Sequence, residues 1–274
     1  MSAVTLGLLA ALVQAGTGVL SKGLATRYPA RPLIGVLLLL NCLLLAPFAP
    51  FVEWHLSPSI AILHVVSAFL LAASSVPVWD LFDAGAASAT TTAQALSPLA
   101  AALGAALLIP GSVTVAQVVA AVVVVIGVTW ALRDAFTILG RRGSAVRILV
   151  AAVATGLLTV TTAMLADEGV GVVETYVART AMAAAAMLVL IPPRGVPASS
   201  LPRLLVRSVS VTVYFSLVIL AVQQGSPVVV QTLLAVTPLL VLGWESLRSR
   251  TWPATRSLAG ACLVLVGVVI VLAI

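Results

Sequence analysis

Residues 85–134 read GAASATTTAQALSPLAAALGAALLIPGSVTVAQVVAAVVVVIGVTWALRD, and residues 225–274 read GSPVVVQTLLAVTPLLVLGWESLRSRTWPATRSLAGACLVLVGVVIVLAI. Laid side by side without a gap, the two stretches agree at eleven of fifty positions. The agreement includes residues that set backbone geometry, at the same spacing in both copies: Gly85 and Gly225, Pro98 and Pro238, Gly127 and Gly267. The two halves of the chain are therefore predicted to share one fold, offset by 140 residues.

The composition is that of a membrane protein. Of the 274 residues, 62% are hydrophobic and 8% are charged, and the mean hydropathy is +1.22. Soluble domains are about 45–50% apolar and about 25% charged, because their surface must carry polar atoms. Apolar runs long enough to cross a bilayer recur along the whole chain, which leaves no room for a soluble domain. The predicted fold class is an all-α integral membrane protein.

Ten apolar runs are each close to the ~20 residues that a ~30 Å hydrocarbon core requires. The runs are continuously apolar rather than alternating, which excludes the strands of an outer-membrane barrel. Turn residues separate them, as at Pro110-Gly111-Ser112. The predicted spanning helices cover residues 4–22, 32–52, 58–79, 86–109, 113–132, 145–166, 170–191, 204–223, 227–246 and 254–274.

The loop charges indicate that the second five helices are inverted relative to the first. Five is an odd number, so the second half enters the membrane from the opposite side. Thirteen of the 14 basic residues then fall on one face, and Arg179 is the exception. The pattern predicts an inverted repeat, with residues 1–134 as the first five-helix repeat, 135–144 as a central linker and 145–274 as the second repeat. By the positive-inside rule the basic face is cytoplasmic, which puts both termini outside the cytoplasmic membrane.

Missing patterns argue against several classes of function. No nucleotide-binding P-loop, nucleophile-elbow or zinc-protease motif occurs in the chain. Cys42, Cys262, His55 and His64 form no ligand cluster in the sequence, so no metal, cofactor or enzymatic activity is expected and neither histidine is given a role. The net charge of +6 is scattered over loops, so nucleic-acid binding is not expected. Inverted repeats are instead typical of secondary transporters, whose site opens alternately to each side.

The second segment of each half resembles the EamA-type repeat of the drug/metabolite transporter superfamily. The resemblance rests on a glycine thirteen residues ahead of the proline in 96–99 (LSPL) and in 236–239 (VTPL). It also rests on the glycine in 126–128 (IGV) and in 266–268 (VGV). Helix seven is similar to the family's segment in which a small residue precedes an arginine, here Thr175 to Arg179. In architecture the similarity covers nearly the whole chain.

One feature of the family is missing. Family members often carry a Gly-Glu-Arg turn about thirteen residues after the proline, whereas Gly111 and Thr251 occupy those positions here. The resemblance implies a ten-helix carrier of metabolites or drugs with a 5+5 arrangement. It also implies an exporter, driven by an ion gradient or a substrate gradient.

Arg179 is the first candidate for the substrate pathway. An arginine at the centre of a span costs ~2.5–3.5 kcal/mol on insertion scales, so it should face a cavity or a partner. Its guanidinium suits a carboxylate or phosphate on a substrate, and a structural ion pair or snorkelling is the alternative. Glu174, five residues earlier, lies about 140° around the helix from Arg179 and could face the same cavity from its rim. Glu245 could relay a proton, although pairing with Arg248 at the interface is favoured.

Neutral polar residues and prolines complete the candidate set. Gln14, Gln94, Gln231 and Tyr214 lie within predicted spans, where helix–helix hydrogen bonds of ~0.6 kcal/mol are the alternative to a role in the pathway. Pro98 and Pro238 each remove a helical hydrogen bond and are gating candidates, a static kink being the alternative. Lys22, Asp80 and Asp83, at helix ends, are interpreted as interface anchors, and Asn41 as a packing contact that makes a helix–helix hydrogen bond.

The leading hypothesis is a secondary active transporter that moves a small metabolite or drug-like solute by alternating access, with export favoured. Its expected partners are the solute, protons or another coupling ion, and membrane lipid. A translocase for lipids or lipid-linked head groups is the first alternative. A non-transporting membrane subunit is the second.

Overall fold

The computed structural model describes residues 1–83, 96–131, 142–250, 252 and 254–273. In this part of the chain the fold is all-α, without strands, which confirms the predicted fold class and is consistent with ten helices. Eight helical segments are long and apolar enough to cross a membrane, and two shorter apolar helices accompany them. The helices are α1 (Ala3–Ala25), α2 (Ala30–Leu45), α3 (Pro58–Asp83), α4 (Ser97–Leu108), α5 (Val115–Ala131), α6 (Arg142–Asp167), α7 (Val172–Leu190), α8 (Leu201–Gln223), α9a (Pro227–Leu234), α9b (Thr237–Ser249) and α10 (Thr255–Leu272).

The second predicted helix, 32–52, is wrong at its carboxyl end. The α-helix α2 stops at Leu45, and a 3-10 helix, Ala46–Phe51, takes the place of its last turns. Pro47 and Pro50 explain the change, because a proline lacks the N–H that an α-helical bond requires and clashes with the preceding turn.

The ninth helix is divided where the sequence predicted one helix over 227–246. α9a begins with the Ser226 hydroxyl accepting a bond from the Val228 N–H, and it ends at Leu234. α9b starts at Thr237, directly before Pro238. The described part of α4 likewise starts at Ser97, the residue before its own proline. The first half of the predicted fourth helix, with Gly85 and Gln94, lies outside the described residues.

Each helix of the first half has a counterpart five numbers later in the second half, and counterpart pairs of helices make the same contacts. α1 packs on α8, and the counterpart pair α6 and α3 is also in contact. In the same way α2–α8 has the counterpart α7–α3, and α1–α9 has the counterpart α6–α4. α2 packs on its own counterpart α7, and α5 packs on α10. Each half therefore contacts the other through equivalent helices.

Glycines allow α5 and α10 to approach very closely. A Cβ on Gly127 would lie 2.8 Å from the carbonyl oxygen of Gly260 and 2.8 Å from the amide nitrogen of Val264. On Gly267, a Cβ would lie 3.0 Å from the carbonyl oxygen of Ala120. Helices that cross in lipid gain from such contacts because small residues let the two backbones pack together. The registered glycines 127 and 267 thus have a packing role at one crossing.

An ion cluster joins α2, α3 and α6 at the end of the bundle that carries the basic residues. The Arg31 guanidinium donates to both carboxylate oxygens of Asp80, from Nε at 2.8 Å and from Nη2 at 2.9 Å. Nε of Arg147 lies 3.7 Å from Asp80 Oδ2. Asp80 therefore bridges α3 to both α2 and α6. Arg133, Arg141 and most of the predicted linker lie outside the described residues.

Candidate functional site

A polar cleft lies between α1, α2, α3 and α8. It encloses about 750 Å³, including space that is open to solvent. Each of the four helices contributes polar or aromatic side chains to the wall, which is otherwise apolar. These wall residues are Gln14, Thr17, Ser21, Asn41, Ser74, Ser75, Trp79, Phe82, Arg207, Tyr214 and Phe215.

The cleft runs from the basic end of the bundle to its middle. Ser21 lies in the last turns of α1 and Arg207 lies near the start of α8, so both mark the basic end. There the Arg207 guanidinium donates from Nε to the Ser21 hydroxyl at 3.2 Å and covers the Trp79 ring, with 5.3 Å between Cζ and the ring centroid. Gln14 and Asn41 lie deeper, near the middle of their helices. The cleft therefore extends from the basic end to amide groups about halfway across the bundle.

Two aromatic residues form the deep wall of the cleft. The rings of Tyr214 and Phe215 lie 4.8 Å apart between centroids. Cζ of Arg179 lies 5.4 Å from the centroid of the Phe215 ring. Phe215 lines the cleft and Arg179 does not. The Phe215 ring therefore contacts both the cleft and the guanidinium.

Arg179 is buried, with 1% of its surface exposed. Its Nη1 donates to the Thr162 hydroxyl on α6 at 3.1 Å. Nε and Nη2 have no hydrogen-bond partner among the described residues, and no carboxylate of those residues lies within 4.0 Å. An unmet buried donor costs about 1–3 kcal/mol, and more when it is charged. In the described structure the guanidinium thus has two donors that a ligand or water can bind.

Glu174 is held by residues that the sequence could not associate with it. Its Oε1 accepts from the backbone N–H of His55 at 2.8 Å, and its Oε2 lies 2.9 Å from His55 Nδ1. Nε2 of His64 lies 3.8 Å from Glu174 Oε1. Both His64 ring nitrogens have no hydrogen-bond partner among the described residues. The carboxylate therefore lies in a pocket formed by both histidines of the chain.

The residues before the two prolines bond to glutamines of the opposite half. The Thr237 hydroxyl donates to Gln14 Oε1 at 2.9 Å. The Ser97 hydroxyl donates to Gln231 Oε1 at 2.6 Å, and Gln231 Nε2 donates to the Thr159 hydroxyl. Gln231 is buried, so these bonds connect α9a with α4 of the opposite half and with α6 of its own half.

The structure brings some of the predicted candidates together and separates others. Gln14 and Tyr214 line the cleft, and Arg179 lies behind its aromatic wall. Glu245 lies in α9b near the basic end, and its predicted ion pair with Arg248 is absent among the described residues, so that expectation is wrong. Gln94 lies outside the described residues.

Sequence reasoning missed four residues of this region. Phe215 is one apolar residue among many in its span, and no local pattern distinguishes it. Asn41 was interpreted as a packing contact, but it lines the cleft, and its Oδ1 has no partner in the described structure. His55 and His64 lie nine residues apart and more than 100 residues before Glu174. Glu174 becomes the common partner of the two histidines only in the folded chain, where α3 packs on α7.

Comparisons with known proteins agree with this architecture. Residues 144–273 match the model of the EamA-like transporter family. One solved crystal structure covers 98% of this chain with 95% of its own length, at a TM-score of 0.72 and 16% identity. At that identity the likeness shows the fold alone. The search of the curated proteins found no match.

Proposed function

We propose that this chain, a member of the EamA-like transporter family within the drug/metabolite transporter superfamily, is a secondary transporter that exports a small anionic metabolite. Family membership makes it a membrane transporter of small solutes. The mechanism, the direction and the class of solute are inferred from the contacts described above.

The observation that carries the proposal is the buried Arg179 with two unpartnered donors in the described structure. A guanidinium presents a planar fork that suits a carboxylate or phosphate and keeps its charge at any physiological pH. Charged residues inside a membrane are expensive and are typical of substrate pathways. An anionic group that reaches Nε and Nη2 would complete the hydrogen bonds that the protein leaves open.

Alternating access is supported by the symmetric helix contacts. Equivalent pairs such as α1–α8 and α6–α3 make the two halves exchangeable. Residues 1–134 and 145–274 are accordingly proposed as inverted five-helix repeats that exchange conformations around a site near the midplane. The cleft extends toward the basic end, which the positive-inside rule makes cytoplasmic, so the described conformation is proposed to face inward with both termini outside the cytoplasmic membrane.

Export of a polar solute accounts better for the cleft than transport of a lipid does. The deep part of the cleft holds Gln14 and Asn41, which suit hydrogen-bonding groups of a soluble metabolite. A solute that accumulates in the cytoplasm enters this cleft directly. Export is then driven by the gradient of the solute itself or by that of a coupling ion, which the contacts described above do not identify.

Comparative mass spectrometry of culture medium and cell contents tests the proposal. The strains lack the protein, or overproduce the intact chain, Arg179→Ala or Arg179→Lys. Arg194→Ala is the matched control, because Arg194 is an exposed arginine in a loop at the basic end. We expect an anionic compound to be enriched in the medium with the intact chain and with Arg194→Ala, and to be lost with Arg179→Ala.

Detergent extraction and size-exclusion profiles establish that each variant is folded. Purified protein in liposomes is then tested for saturable, gradient-dependent flux of the enriched compound. Absence of any enriched compound, together with absence of flux across a broad panel of organic anions, contradicts the proposal. Enrichment of a neutral or cationic compound contradicts the solute class but retains transport.

A further inference from the structure

Both histidines of the chain face one buried carboxylate at the end of the bundle opposite the basic residues. Glu174 lies in the first turn of α7 and is 1% exposed. The His55 side chain is 37% exposed, so this residue connects the carboxylate to water. His64 lies deeper, in α3, with 9% of its side chain exposed. The three residues form a path from the aqueous edge into the bundle.

The path continues electrostatically toward the candidate substrate site. His64 interacts electrostatically with Glu174 and with Arg179. An imidazole in this position is attracted as a cation by the carboxylate and repelled by the guanidinium. Further titratable or charged groups near Arg179 and Tyr176 are Tyr214 and Arg207 on α8 and Cys42 on α2. At the His55 end of the bundle, Glu53, Asp167 and Glu168 are exposed.

We propose that Glu174 and His64 form a proton-binding site and that His55 connects this site to water at the end of the bundle opposite the basic residues. The proposal rests on the proposed function, in which the ion that accompanies the solute is unassigned. A proton from water binds to a carboxylate oxygen of Glu174 or to a ring nitrogen of His64. In either case the charge of the pair changes from −1 to 0. Histidine and buried carboxylates are the side chains that serve as proton relays in membrane carriers.

The position of Arg179 links this proton to the solute. The fixed positive charge of Arg179 opposes protonation of the Glu174–His64 pair by Coulombic repulsion. An anion bound to Nε and Nη2 neutralises that charge and favours proton binding. By thermodynamic linkage, the proton favours anion binding to the same degree. Anion and proton therefore bind cooperatively, and binding of one proton with one monovalent anion leaves the net charge of the site unchanged.

Nuclear magnetic resonance of the imidazole nitrogens tests the site directly, because the chain has only two histidines. The full chain, labelled with nitrogen-15 at histidine and held in lipid nanodiscs, is titrated with acid and base. His55→Gln and His64→Gln assign the two sets of signals. We expect both imidazoles to respond together in one coupled step. We expect Glu174→Gln to abolish the coupling, and Glu245→Gln, a carboxylate outside the cluster, to preserve it.

Variants at Arg179 test the linkage without a known solute. Removing the positive charge in Arg179→Gln removes its repulsion of the bound proton, so the pair should retain its proton to a higher pH than in the intact chain. Arg179→Lys keeps the charge and should titrate like the intact chain. If Arg179→Gln does not fold, a carboxylate probe is used instead: benzoate added to the intact chain should produce a shift in the same direction.

Several outcomes overturn the proposal. The proton-binding site is refuted if the two histidine signals titrate independently in the intact chain. It is also refuted if the coupled step persists in Glu174→Gln. Loss of charge at Arg179 without any change in the titration refutes the linkage. These titrations do not measure flux, so a negative result refutes the proton site without refuting the proposed transport function. Equally, a chain that carries no solute can still show the coupled titration.

Discussion

Cζ of Arg179 lies 5.4 Å from the centroid of the Phe215 ring, and the Phe215 side chain also lines the cleft. A guanidinium over an aromatic face is stabilised by the ring quadrupole, by about 2 kcal/mol or more when water is excluded. The Arg179 guanidinium itself does not line the cleft, so the Phe215 ring lies between the two.

Shortening the Phe215 side chain is expected to open the cleft to the Arg179 site. Thr162→Cys, in a background without Cys42 and Cys262, places a thiol beside the guanidinium. With Phe215→Ala its reaction with a small thiol reagent should be faster by about tenfold or more, a barrier change of about 1.4 kcal/mol. Phe215→Leu retains the bulk and should leave the rate nearly unchanged.

Ser75→Cys is the control for this measurement, because Ser75 already lines the cleft. Its reaction rate should be the same with Phe215, Leu or Ala at position 215. Equal rates at Thr162→Cys in all three backgrounds would show that Phe215 is no barrier.

Adding a methyl group at the α5–α10 crossing is expected to destabilise the protein. In Gly127→Ala the new Cβ would lie 2.8 Å from backbone atoms of α10, which cannot rotate away. Overpacking of this kind costs about 1–3 kcal/mol. Gly243→Ala is the control, because its Cβ would meet no atom within 4 Å and helix propensity predicts a gain of up to about 1 kcal/mol. The melting temperatures of the two variants are compared by thermal unfolding in detergent. Equal values would contradict the close approach of α5 and α10 at Gly127.

The Ser97–Gln231 hydrogen bond is expected to couple the two halves energetically. A double-mutant cycle of Ser97→Ala with Gln231→Ala should give an interaction free energy of about 0.6 kcal/mol, with ~1.7 kcal/mol as the upper range in membrane proteins. Ser74→Ala is the matched control, because that hydroxyl bonds to the Leu71 carbonyl of its own helix. Combined with Gln231→Ala, it should be additive. If Ser97→Ala and Gln231→Ala were also additive, this hydrogen bond would not couple the two halves energetically.

Neutralising Asp80 is expected to destabilise the basic end of the bundle. The side chain is 11% exposed and lies between Arg31 and Arg147, so Asp80→Asn leaves two arginines without their partner. Hydrogen bonds to charged groups contribute about 1.5–3 kcal/mol, and we expect a loss near the lower value because Arg31 is 56% exposed.

Asp167→Asn, at an exposed position, is the control and should change stability by less than about 0.5 kcal/mol. Exchange of the two charges in Arg31→Asp with Asp80→Arg should restore part of the loss. Unfolding free energies measured at low and high salt provide the check, because screening weakens the exposed side of the pair. Equal unfolding free energies for Asp80→Asn and Asp167→Asn would show that the contacts of Asp80 with Arg31 and Arg147 do not stabilise the protein measurably.

The sequence predicted the elements of this fold well because the lipid environment constrains them strongly. Each span must satisfy its backbone bonds internally and cover the apolar core, so length and hydropathy identify helices with few alternatives. The divided ninth helix was only partly predictable. Pro238 indicated a disturbance, but a proline does not by itself determine whether a helix bends or stops, as it does between Leu234 and Thr237.

The contacts between distant segments were beyond the sequence. Arg179 could be singled out from one residue, because a charge within an apolar run is costly wherever it points. The partners of a charge depend on which faces meet in space. For that reason the roles of His64 beside Glu174 and of Phe215 beside Arg179 appeared only in the folded chain.

By itself, the sequence determined that the chain is a helical membrane protein, that its halves resemble one another, and which face carries the basic residues. These properties depend on composition and on spacing along one chain, which are local and additive. Tertiary structure alone decided that the cleft stops at Phe215, that both histidines meet Glu174, and that glycines 127 and 260 meet at one crossing. Such properties depend on the mutual rotation and depth of helices, which are set by the summed packing of many small contacts between segments far apart in sequence.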